Sequence, residues 1–86
     1  MSDSLAMKKK FYDWANAMLA QSPFDVKTNH LMSMVAALAR GDQGAVSYFY
    51  FSAKAAGASE AELAAATDIA TAATGLSLYA LLPKGE

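Results

Sequence analysis

The chain contains no cysteine. That single absence removes disulfides, thiolate nucleophiles and zinc–thiolate sites together. Proline is scarce, with two in 86 residues, and glycine numbers only five, so the chain has few enforced breaks. Charge is scarce as well: 17% of residues are charged and the formal net charge is -1. No basic surplus points to nucleic acid. The one basic run, Lys8-Lys9-Lys10, lies between Asp3 and Asp13 and reads as a solvated helix face. Three lysines are few beside the clusters that hold anionic lipid or nucleic acid. A single histidine, His30, gives little support to a metal site, which would need ligands from a neighbouring chain. No apolar run reaches the length of a membrane span. The start, MSDSLAMKKK, has no apolar segment after its charges and is not expected to act as a secretory signal. The expectation is a cytoplasmic protein without cofactor or metal, with neither nucleic acid nor membrane as partner.

What is abundant is apolar side chain, at 55% of the residues. Eighty-six residues make one domain, 1–86, and a chain this short buries a limited fraction of its surface. The apolar excess needs cover. A second copy of the same chain is the commonest cover, since most oligomers are closed assemblies of one subunit.

The periodicity is helical throughout. From about Asp3 to Ala20, the residues Met7, Phe11, Trp14, Ala15 and Met18 recur at helical spacing and form one apolar stripe. Ser2 or Ser4 is placed to cap this helix, and Gln21-Ser22-Pro23-Phe24 breaks it, because proline removes a donor and turns the residue before it away from helix. A second helix is expected from Asp25 to Arg40, capped by Asp25 or Thr28, with Leu31, Met34, Val35 and Leu38 inward and Gly41 closing it. A third runs from about Gln43 to Ala56, with Val46, Phe49, Ala53 and Ala56 on one face. Its run Tyr48-Phe49-Tyr50-Phe51 has strand propensity, but the alanines and lysine that follow favour helix.

Gly57 ends that helix, and Ser59-Glu60-Ala61-Glu62 is a capping box, with serine and glutamate each satisfying the other's backbone N–H. A fourth helix follows to about Thr74, packing through Leu63, Ala66, Ile69, Ala70 and Ala73. Gly75 is expected to break it, leaving Ser77 to Leu82 as a short final helix or tail stopped by Pro83. The methionines at 7, 18, 32 and 34 read as pliable core filler. The fold class is all-α, a compact bundle of four to five helices in an oligomer.

One junction carries more information than periodicity. The stretch Lys27-Thr28-Asn29-His30-Leu31, an apolar helix, Gly41, and a helix running through Lys54-Ala55-Ala56-Gly57-Ala58-Ser59-Glu60-Ala61-Glu62-Leu63 resembles the carboxymuconolactone decarboxylase and alkylhydroperoxidase D-like family. The resemblance covers about residues 24–80, behind an N-terminal helix at 1–22. It implies an all-α bundle assembled as a trimer or hexamer.

The family's peroxidase members resemble one another in a helical CxxC followed by a histidine, with a glutamate upstream. Aligned through Gly57, the two cysteine positions fall on Asp42 and Ala45, the histidine position on Phe49 and the glutamate position on His30. All four differ. Hydroperoxide reduction needs a thiolate nucleophile and a resolving thiol, which aspartate and alanine do not supply. The decarboxylase branch resembles the peroxidases in keeping the histidine that is Phe49 here.

The same alignment implies a candidate site. His30 and Asp42 fall at positions of the family's pocket, and a carboxylate beside an imidazole fixes its tautomer and raises its basicity, as a general base requires. Tyr48 or Tyr50 would supply a hydroxyl. Against this stands a plain reading, in which Asp42 caps the third helix and His30 is a polar surface or interface residue. Ala45, Tyr48 and Phe49 would line a pocket for a small apolar ligand, although aromatic runs are more often core and subunit interface.

Three functions follow. The leading one is a divergent family member that has lost thiol chemistry and serves as a binding or structural oligomer. The second is a cysteine-independent enzyme on a small carbonyl or carboxylate compound, acting through His30 and Asp42. The third is a protein-interaction module.

Overall fold

The computed structural model describes residues 2–83, and these form four α-helices: α1 (Ser2–Gln21), α2 (Val26–Arg40), α3 (Gln43–Ala55) and α4 (Glu60–Leu81). Each boundary from α2 onward has a local cause. Asp25 accepts the Thr28 N–H at 2.7 Å and starts α2. At its end the Gly41 N–H donates to Leu38 O and the Asp42 N–H to Ala37 O, both at 3.1 Å. This paired closure requires a left-handed residue, and Gly41 has φ 71°. The same closure recurs after α3, where the Gly57 N–H reaches Lys54 O and the Ala58 N–H reaches Ala53 O, with Gly57 at φ 102°. Then the capping box forms in full: Ser59 Oγ accepts the Glu62 N–H at 3.1 Å and a Glu62 carboxylate oxygen accepts the Ser59 N–H at 2.9 Å.

Two expectations about the elements are corrected. Gly75 does not break α4, which continues to Leu81. A glycine in a helix interior costs about 0.5–1 kcal/mol relative to alanine, and the alanine-rich turns around it outweigh that. Residues 77–82 are therefore the end of α4, not a separate helix. Ser4 lies inside α1 instead of ahead of it, and the Ser2 side chain lies outside the described residues. The aromatic run Tyr48 to Phe51 is helical.

The packed pairs are α2 with α3 and α2 with α4; α1 belongs to neither. Among the described residues the buried core is Met34, Ala37, Ala53, Ala58, Leu63, Ala66 and Ala70. Leu31, Val35, Leu38, Val46, Phe49 and Tyr50 pack half-buried against it. Only Met34 and Leu63 in that core are large. A core made mostly of alanine allows close helix approach but removes little apolar area from water.

The remaining apolar residues are outside. Met7, Phe11 and Trp14 are each about 60% exposed. Met18 and Met32 are also exposed, so of the four methionines read as core filler only Met34 is core. Ile69 and Ala73, assigned to the packing face of α4, are exposed as well. The radius of gyration is 16.3 Å, whereas a compact chain of this length has about 12 Å. The accessible surface is 6682 Å², about 1,800 Å² more than a compact monomer of this mass exposes. Among the described residues no helix is long and apolar enough to cross a membrane.

Candidate functional site

The residues of interest lie on the α2–α3 hairpin and on the first turns of α4. His30 sits early in α2, half-buried, with its ring 6.2 Å from that of Phe49 on α3 and tilted by 35°. Phe49 is in turn edge-on to Tyr48 at 5.1 Å. The fold thus brings positions 30 and 49 together. Ala45 is half-buried in the first turn of α3, and Tyr48 is 64% exposed.

Asp42 stands apart from this pair. Its Oδ1 accepts the Ala45 N–H at 3.1 Å, which makes it the N-cap of α3, and its other oxygen lies 3.9 Å from the Arg40 guanidinium. His30 and Arg40 are ten steps apart along α2, or about 15 Å of helix axis. No hydrogen bond or ion pair joins His30 to Asp42 among the described residues. The carboxylate that would orient the imidazole is occupied at the far end of the helix.

The ion pairs gather at the α4 N-terminus. Lys27 Nζ meets Glu62 at 2.9 Å and Lys54 Nζ meets Glu60 at 2.9 Å. The Lys27 ammonium, then the Ser59 N–H, holds the Glu62 carboxyl below its ordinary range, and Glu62 raises Lys27 in return. Lys54 likewise lowers Glu60, and Glu60 raises Lys54. The Tyr50 hydroxyl donates to Glu60 at 3.4 Å and Lys54 lies over the Tyr50 ring at 5.6 Å. That hydroxyl therefore serves the α3–α4 junction. These contacts tie the starts of α2 and α4 and the end of α3 into one corner. Among the described residues no group of three His, Cys, Asp or Glu side chains is placed to hold a metal ion.

A concavity that sequence reasoning missed lies between α2 and α4. It is an open groove of about 440 Å³ lined by Leu31, Met32, Val35, Glu62, Ala65, Ala66 and Ile69. It includes none of Ala45, Tyr48 and Phe49. Each lining residue was readable as part of an apolar face. The groove itself arises because alanines at 65 and 66 face leucine and valine without filling the space between the helices.

The Carboxymuconolactone decarboxylase family model matches residues 6–82. The chain belongs to this family. The matched span takes in most of α1 as well as the α2–α4 core. No curated protein and no solved structure is found to match the chain. On this carboxymuconolactone decarboxylase-like scaffold, Asp42, Ala45 and Phe49 lie in the first two turns of α3 and its cap, with His30 opposite Phe49. The positions that the family resemblance assigns to peroxidase chemistry thus carry a helix cap, a methyl group and a tilted pair of aromatic rings.

Proposed function

We propose that this carboxymuconolactone decarboxylase-like chain works as the subunit of a homo-oligomer, a trimer or hexamer, without thiol peroxidase chemistry of its own and in a binding or structural role. The observation that carries the reading is the surface. The chain exposes 6682 Å², about 1,800 Å² beyond a compact monomer, and its own core contains two large side chains. Obligate interfaces bury about 1,000–2,500 Å² per partner, so the excess is of the size that such an assembly removes from water. Loss of chemistry rests on the sequence: the chain has no cysteine, and a thiolate is the nucleophile that hydroperoxide reduction needs.

The test combines light scattering on the purified protein with a hydroperoxide reduction assay supplied with a dithiol reductant. The expected result is a mass of three or six chains and turnover no faster than reductant alone. A monomer at micromolar concentration would remove the first half of the reading. Protein-dependent peroxide consumption would remove the second.

A further inference from the structure

Two helices carry apolar stripes that nothing in their own chain covers. On α1 the stripe is Met7, Phe11, Trp14 and Met18, spaced 4-3-4. On α4 it is Ala65, Ile69, Ala72, Leu76 and Tyr79, spaced 4-3-4-3. Alternating steps of three and four place residues along one seam of a helix, the pattern by which two helices pack knobs into holes. All nine residues are exposed. The stripes also differ in grain: α1 offers only large side chains, including two aromatics, whereas α4 alternates alanine with large ones. Large against small is what lets two surfaces interdigitate.

The flanks are complementary in charge. Lys8 and Lys10 lie on either side of the α1 stripe, while Lys9 is on the far face, paired with Asp13 at 2.9 Å. Asp68 lies on one side of the α4 stripe, Glu62 on the other side is already held by Lys27 at 2.9 Å, and α4 carries no basic residue. The upper half of the α4 stripe, Ala65 and Ile69, is also one wall of the α2–α4 groove.

What keeps α1 from covering α4 of its own chain is the elbow between α1 and α2. Ser22 Oγ donates to Asn29 Oδ1 at 2.9 Å and accepts the Phe24 N–H at 3.1 Å. Asn29 Nδ2 donates to Leu19 O at 3.3 Å. With Pro23 between them, these bonds hold the end of α1 against the start of α2 and aim the rest of the helix away from the core. An isolated helix gains most of its stability from packing an apolar face, so α1 needs a surface beyond its own chain.

We infer that the α1 stripe of one copy packs on the α4 stripe of a second copy, with Phe11 and Trp14 as the anchors between Ile69 and Leu76, beside the α2–α4 groove. The inference rests on the homo-oligomer reading above and names its contact. Aromatic side chains seated in an apolar groove are the usual energetic centre of such an interface. The excess surface of the single chain, about 1,800 Å², is enough for one such contact given and one received.

The absence of cysteine makes the test clean. Trp14→Cys and Leu76→Cys chains, one carrying an affinity tag, are purified separately, mixed under conditions of subunit exchange and treated with a short bis-maleimide. The expected result is a tagged–untagged dimer, with none when Lys9→Cys replaces Trp14→Cys. Oligomers that give only like-with-like links would overturn the inference while leaving the oligomer reading intact. A double variant Trp14→Cys/Leu76→Cys that closes at monomer mass would overturn it too, because α1 would then fold back on its own chain. A protein that is monomeric throughout would overturn both. Trp14 is the sole tryptophan, which gives a second readout without altering α1. Leu76→Glu is expected to red-shift its emission while the circular dichroism stays helical. Unshifted emission in a Leu76→Glu protein that remains oligomeric would count against the contact.

Discussion

Glu62 does three jobs at one position. Its backbone N–H completes the cap from Ser59, its carboxylate closes the capping box, and the same carboxylate holds Lys27 on α2. Lys27 first, and the Ser59 N–H second, favour its ionised form and lower its pKa. A carboxyl whose folded pKa lies below its ordinary 4.5 contributes stability that is fully present above that value and is lost as pH falls through the folded one. Urea unfolding between pH 6 and pH 3 is therefore expected to show a falling midpoint below about pH 4.5, and Glu62→Gln is expected to flatten that fall. An acid limb unchanged by Glu62→Gln would mean that other carboxylates, such as Glu60 and Asp25, carry it. The His30–Phe49 pair is the other point of interest at this scale. It was legible only through the family alignment, because nothing in the local pattern says that the fifth residue after the Asp25 cap faces the middle of the next helix.

At the scale of elements, glycines show how context decides what one residue type does. Gly57 at φ 102° closes α3, while Gly75 sits inside α4, and a Cβ placed at either meets no neighbouring atom within 4 Å. Substitution effects are therefore conformational and of opposite sign. Gly57→Ala is expected to destabilise by about 1–2 kcal/mol, the cost of a left-handed L-residue. Gly75→Ala is expected to stabilise by about 0.5–1 kcal/mol, the helix-interior cost of glycine removed. Paired thermal melts of the two variants against the parent check both signs. The starts of α2 to α4 and the Gly41 and Gly57 stops were readable because a cap or a positive φ is satisfied within a few residues. The run of α4 past Gly75 was not, since one weak breaker is outvoted by the summed propensity of a long alanine-rich segment. The groove between α2 and α4 was likewise not readable: periodicity says which face turns inward, not whether facing side chains fill the gap.

At the scale of the whole molecule, the surface supports the assembly proposed above. Its extents are 56 × 36 × 24 Å, with α1 outside the packed trio and large apolar side chains along α1 and α4 open to water. If association supplies the missing burial, folding and assembly are linked, and stability depends on protein concentration. The melting temperature is expected to rise with concentration over a hundredfold range, and Leu76→Glu is expected to abolish that dependence along with the oligomer. A melting temperature independent of concentration, in a protein that is oligomeric by light scattering, would mean that the subunit is stable alone. The apolar excess was plain in the composition. Its location was not, because the stripe of α1 has the same spacing whether it faces its own core or a neighbour.

By itself the sequence determined the helical class, the starts of α2 to α4 and the turns at Gly41 and Gly57, the lack of a thiol and the surplus of apolar side chain. These are local or summed properties, settled by neighbours within a turn or by composition alone. Only the tertiary structure decided that Asp42 is held at the far end of α2 from His30, that the core is mostly alanine, that an open groove runs along the α2–α4 contact, and that α1 touches the rest only at its end. Those outcomes depend on how far apart helices lie and which way the elbow at Ser22 and Pro23 points, and neither distance nor direction is encoded in a repeat of 3.6.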